Sequence, residues 1–306
     1  MKGSVYIVGS EGRIFPIGGF SLCMLAELVA LMASFFTALS SVMATRGMKD
    51  SNPDTANLLL TGIQTLVLTG VLVLDFPVLN WGALFWFALS GVCASFLGRL
   101  LTLTSYKRIG VSAGSAIVGT SPVITTILAI LFLGEPLVLP VVFGAVLVVL
   151  GIASLNLKDG RLSIELSSVY LPLLGAILFA VSNIIRKIGT NLQPHAVLGA
   201  QSSTLAGLLV FVAYLVVKGG FKDLRVSKQN IPWLAGAGFV NAFAWITLTM
   251  AINLGRVSVV SSIIYSYPLF SVLLTRVLLR DEPLNRYIVV GSLLIVLGVA
   301  VVSLLG

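Results

Sequence analysis

The chain has 306 residues, 58% of them hydrophobic and only 10% charged, with a mean hydropathy of +1.07. A soluble domain carries about a quarter charged residues, so this composition excludes a water-soluble globular protein. The net charge of +8 does not point to nucleic acid, because Lys and Arg are scattered singly and in pairs and form no basic patch.

One crossing of a bilayer takes about 17 to 25 mostly apolar residues, so the length holds roughly ten crossings with short connections and no separate soluble domain. Apolar runs fall at 20–43, 56–73, 81–103, 112–133 and 139–155. After a polar break at 156–167 come 169–185, 196–217, 232–252, 258–279 and 287–305. The first run is too long for a signal-peptide core and is expected to be retained. The runs are apolar all round, without the alternation of a barrel strand, so the expected class is an all-α integral membrane protein of ten transmembrane helices. Cys23 and Cys93 lie in apolar stretches and read as small buried thiols.

Two halves, 20–155 and 169–305, match in order. Val111-Ser112, Ser121-Pro122 and Gly134-Glu135-Pro136-Leu137 recur as Val257-Ser258, Tyr267-Pro268 and Asp281-Glu282-Pro283-Leu284. Gly144 and Leu150-Gly151 match Gly291 and Leu297-Gly298, Ser41 and Arg46 echo Ser182 and Lys187, and Gln64 and Gln201 occupy similar places. Five crossings per repeat make the second copy enter from the opposite side, which predicts inverted repeats related by a two-fold axis in the membrane plane. In the ten-helix arrangement one side collects fourteen Lys and Arg, the other only Lys2, Arg13, Arg186, Lys187 and Arg256. Without Arg99 and Arg276, which fall inside runs, the ratio is still twelve to five, so the positive-inside rule predicts both termini outside the cytoplasm.

The duplicated Ser/Tyr-Pro, the Glu-Pro-Leu at the helix ends, the Gly-rich last helices, Ser105 to Ala113 and Ala180-Val181-Ser182-Asn183 together resemble an EamA-type carrier of the drug/metabolite transporter superfamily. The resemblance covers nearly the whole chain. It implies ten helices in two inverted repeats, a central mid-membrane cavity, and small-metabolite substrates, commonly amino acids, often exported. Asp281 stands where the family usually has Gly, and no Lys or Arg lies between Asp75 and Trp81. The resemblance also implies cytoplasmic termini, opposite to the charge count.

Charged and amide side chains inside hydrocarbon are costly unless they face a cavity or a partner, which singles out Glu27, Gln64, Arg99, Asn183, Gln201 and Asn241. Glu27 can exchange protons as a coupling group, or reach the interface. Arg99 can hold a substrate carboxylate, or snorkel toward Lys107 and Arg108; for Arg276, snorkelling is favoured. The amides can bind a solute or join helices. Asn241 and Trp245, one turn apart, put an amide and a ring on one helical face, a pairing suited to a small amphipathic solute. Pro122 and Pro268 interrupt the bonds to the carbonyls of Val118 and Ile264, predicting kinks that serve as hinges or are static. Tyr265 and Tyr267 stand beside the second proline and can reach a cavity.

Glu135 and Glu282 read as capping or ion-pairing groups outside the site. His195, the sole histidine, falls in a polar loop, and neither a catalytic constellation nor a nucleotide, metal or cofactor motif appears. The expected function is a secondary carrier of a small-molecule substrate, driven by a substrate or proton gradient across the cell membrane. The alternatives are an intramembrane enzyme and a non-transporting scaffold or sensor.

Overall fold

The computed structural model describes residues 5–8, 14–17, 19–48, 51–155, 169–267, 269–271, 273–274 and 286–305. Short strands β1 (Val5–Val8) and β2 (Ile14–Ile17) pair antiparallel, Val5 opposite Ile17, ahead of the helices. This ribbon is an addition to the all-α expectation. The remainder is helical: α1 (Gly19–Gly47), α2 (Pro53–Leu74), α3 (Trp81–Gly91), a π-helical segment (Val92–Gly98), α4 (Arg99–Val118), α5 (Ser121–Leu133) and α6 (Leu139–Leu155). Then follow α7 (Tyr170–Leu192), α8 (Ala196–Lys218), a 3₁₀ turn (Gly220–Asp223), α9 (Ile231–Leu254), α10 (Val257–Ile264) and α11 (Arg286–Leu305).

The helix ends follow from local chemistry. The Thr55 amide donates to the Asn52 side chain ahead of Pro53, and the Ala83 amide donates to Asn80. Gly134 and Gly219 close α5 and α8 in the left-handed conformation, both at φ 65°. Polarity runs inward. On α2, Gln64 is fully buried while Leu74 is 86% exposed, the arrangement expected of a chain whose outer solvent is hydrocarbon. Among the described residues, six helical segments are long and apolar enough to cross a membrane, and four shorter apolar segments lie at Ser121–Leu133, Leu139–Ser154, Val257–Ser271 and Leu293–Val302.

Three boundaries differ from the sequence expectation. The break expected between 103 and 112 is absent as a gap in hydrogen bonding, since α4 is helical through it. Yet Thr102 packs on Gly175 while Ser121 donates to the carbonyl of Ala176, the next residue of α7. Straight helix from Thr102 to Val118 alone would span about 24 Å, so the chain reverses direction between Thr102 and Ser121. The fourth run is divided before Pro122: α4 ends at Val118, Thr120 turns back on Ile117, and Pro122 lies in the first turn of α5. Pro122 therefore starts a new helix instead of kinking a continuous one, because its missing N–H costs nothing in a first turn. In the second half α10 likewise ends at Ile264, and Ser266 turns back on Ile263; Pro268 lies outside the described residues, as do Arg276 and Glu282. Third, α7 runs seven residues beyond the expected end at 185.

Glycine brings α6 and α11 together. A Cβ on Gly144 would lie 2.7 Å from the Gly298 carbonyl oxygen, and one on Gly151 2.7 Å from that of Gly291. Contacts this close exclude a side chain. Gly144→Leu is expected to lower the melting temperature of the detergent-solubilised protein by overpacking worth about 1 to 3 kcal/mol. Gly62→Ala, where nothing lies within 4 Å, is the control and should leave it unchanged or slightly raised; equal behaviour of the two variants would contradict the packing.

Candidate functional site

Between α1, α2, the π segment, α4, α7, α9 and α10 lies a cavity of about 210 Å³. Arg99, Asn183, Asn241, Trp245, Tyr265 and Tyr267 all line it, although they are spread over 169 positions of sequence. Its walls also include Phe179, Leu248 and Ile264, with Ser182 and Ser261 as small polar groups. Glu27 is half-buried on α1 and does not line the cavity; Pro122 is buried at the start of α5, also away from it.

Arg99 and Asn241 are held by different neighbours. Arg99 follows the π segment, a widened turn that recurs at functional sites, and its Nη1 donates to Thr61 Oγ1 at 3.0 Å. Arg99 thus turns inward and does not snorkel toward Lys107 and Arg108. Asn241 donates to Gln64 Oε1 at 2.7 Å, and Gln64 Nε2 in turn donates to Thr204 Oγ1 at 3.1 Å. Gln64 is therefore an interhelical tie, while Asn241 is both tied and cavity-facing. Gln201 makes the corresponding tie to Thr69 at 3.3 Å. Asn183 reaches the cavity from α7, and the rings of Tyr265 and Tyr267 stand 6.4 Å apart.

The residue that sequence reasoning misplaced is Arg186. Ending the helix at 185 put Arg186 and Lys187 in a loop; in fact both lie inside α7. Arg186 is only 1% exposed and lines the cavity, with its guanidinium 4.3 Å from the Trp245 ring centre. Arg99 stands 5.9 Å from the same ring. Lys187 points instead to the end of α9 and donates to the carbonyls of Ile252, Asn253 and Gly255, satisfying groups that the helix leaves open. The overlooked signal was the stripe Ser182, Asn183, Arg186, Thr190, whose three- and four-residue spacing continues one helical face past the dibasic pair.

Glu135 caps a helix, but not the one that follows it. It accepts from the amide nitrogens of Val257, at 2.6 Å, and Ser258, at 3.2 Å, and from the Ser258 hydroxyl. The carboxylate at the end of α5 thus holds the N-terminus of α10, where helix polarity favours negative charge. His195 is also a cap: its Nδ1 accepts from the Leu198 amide at 3.1 Å, while Nε2 lies 3.5 Å from Asp75.

A polytopic helical bundle with charged and amide side chains converging on a mainly apolar cavity defines a multi-pass membrane protein. A model described as the EamA-like transporter family matches residues 24–157 and again 166–304, and the chain belongs to that family. The uncharacterized transporter YvbV of Bacillus subtilis (strain 168) is 26% identical over 195 residues, a match that spans 62% of this chain and 62% of that relative. A protein known from its crystal structure superposes with a TM-score of 0.79, covering 92% of this chain and 97% of its own at 16% identity, a likeness of fold.

Glu135→Ala would leave the α10 amides unpaired in a partly buried site. It should destabilise the protein by about 1 to 3 kcal/mol, read as a fall in melting temperature, with Ser258→Ala costing less. A Glu135→Ala protein as stable as the parent would remove this cap from the account.

Proposed function

We propose that the chain is a secondary transporter of a small metabolite, working by alternating access between two inverted five-helix halves, 20–155 and 169–305, that cross the membrane ten times. The observation that carries this reading is the central cavity, where six candidate side chains from both halves converge on a volume suited to a small solute.

Inverted symmetry is supported by contacts that recur with the halves exchanged. Gly144 meets Gly298 as Gly151 meets Gly291, and Gln64 reaches Thr204 as Gln201 reaches Thr69. Ser40 of α1 donates to the Ala237 carbonyl of α9, while Ser182 of α7 donates to the Ser90 carbonyl of α3. Ser34 meets Ser266 as Ser121 meets Ala176. The divided helices α4–α5 and α10 supply hinges beside Pro122 and Pro268, and the Glu135 cap on α10 is a bond between halves that rocking would break. Within this reading Asn183, Asn241, Trp245, Tyr265, Tyr267 and Arg99 contact the solute, and Glu27 couples a proton to the movement of α1. The relative from Bacillus subtilis and the family favour transport over an intramembrane enzyme or a scaffold.

In proteoliposomes, Asn241→Ala and Tyr265→Phe are expected to lower metabolite flux at least tenfold and severalfold, respectively, with the folded fraction preserved. Unchanged flux would remove both from the solute path. Glu27→Gln should flatten the pH dependence of flux, and an identical profile would dismiss the coupling role. Moving Arg186 and Lys187 out of the loops leaves Lys2, Arg13 and Arg256 opposite the basic side, which favours termini outside the cytoplasm. Gly306→Cys, in a background lacking Cys23 and Cys93, should then be labelled from outside intact cells; labelling only after permeabilisation would reverse the orientation.

A further inference from the structure

Arg186 carries a guanidinium that is almost wholly buried within the helical bundle, and its Nε and Nη1 have no hydrogen-bond partner. A buried charge without a partner is strongly disfavoured, so a site that keeps one is built for something that is absent part of the time. Other buried polar atoms, such as Ser95 Oγ and Thr125 Oγ1, also lack partners, but they are neutral hydroxyls for which that cost is small. The Arg186 guanidinium, 4.3 Å from the Trp245 ring centre, is positioned by the ring without being neutralised by it, and Arg99 adds a second cation to the same cavity. Among the described residues, no Asp or Glu lines the cavity.

From this we infer that the cavity takes a small organic anion, its carboxylate held by Arg186 and its apolar body against Trp245, Phe179, Leu248 and Ile264. The assignment rests on the proposed solute cavity and narrows its substrate class. A guanidinium offers a carboxylate two parallel donors, so the donors left open on Arg186 match the chemistry of that group. A zwitterion such as an amino acid is disfavoured for a specific reason. Its ammonium would enter a space with two arginines and, among the described residues, no carboxylate, and the Trp245 ring already faces both guanidinium groups. A neutral amide would leave Arg186 unneutralised. An inorganic ion would satisfy the charge but leave the apolar walls unused.

Four probes separate these cases: 4-methylpentanoate, leucine and 4-methylpentanamide, which share a branched carbon skeleton, and inorganic phosphate. With full-length protein in detergent, 4-methylpentanoate is expected to raise the melting temperature and to bind about tenfold or more tightly than the other three in titration calorimetry. Arg186→Gln should cut 4-methylpentanoate affinity tenfold or more while leaving the ligand-free melting temperature equal or higher, because it removes a buried charge whose Nε and Nη1 make no hydrogen bond. Asn183→Asp, one turn earlier on α7, brings a carboxylate beside Arg186 and should also abolish anion binding in a protein that folds at least as stably as the parent. Equal or tighter binding of leucine or the amide, a response to phosphate alone, no response to 4-methylpentanoate, or anion affinity unaffected by Arg186→Gln would each overturn the assignment. These arms require no transport. Arg186-dependent anion binding without flux in proteoliposomes would defeat the transporter reading alone, whereas leucine flux undiminished in Arg186→Gln would defeat the anion assignment alone.

Discussion

A helix surrounded by lipid gains little by burying apolar side chains against another helix, since the lipid is equally apolar; cohesion has to come from close approach and from hydrogen bonds. The bundle uses both. Gly144, Gly151, Gly291 and Gly298 let the backbones of α6 and α11 meet, and serines, threonines and glutamines tie helices that lie far apart in sequence. The exposed surface is left to Leu, Val and Phe. Many of the polar side chains within the helices are buried between them, and several of these converge on the central cavity.

The same constraint distinguishes two kinds of inward polar residue. Gln64 is closed on both sides by Asn241 and Thr204, and Glu135 is closed by the amides at the start of α10. Such groups hold the bundle and have little capacity left for a solute. Arg186 has open donors, and Asn183, one turn earlier on α7, faces the cavity beside it. Unused hydrogen-bonding capacity, more than polarity itself, marks the groups left for a partner from outside.

The divided fourth and ninth runs place loose backbone next to this cavity. Irregular backbone is tolerated at membrane depth only where protein or water covers it, and here it is covered on one side by α7 and borders the cavity at Val118, Tyr265 and Tyr267. The π segment ahead of Arg99 is a third local departure, and the three departures lie around the volume that the regular helices leave open.

Apolar length located the helical segments, and turn residues such as Asn52-Pro53, Asn80, Gly134 and Gly219 marked their ends, because both signals are local and act within one or two turns. The duplicated Glu-Pro-Leu and glycine landmarks were legible for the same reason. Six cavity-lining residues were identifiable too, since polarity at membrane depth is visible in a linear string. What the string could not decide was partnership. Whether Glu135 caps the next helix or α10, whether Pro122 kinks a helix or begins one, and whether Arg99 points inward all depend on contacts between residues far apart in the chain. Arg186 shows the limit most clearly: beside Lys187 it has the local look of a loop, and only the packing of α7 against α9 makes it a buried cation over Trp245.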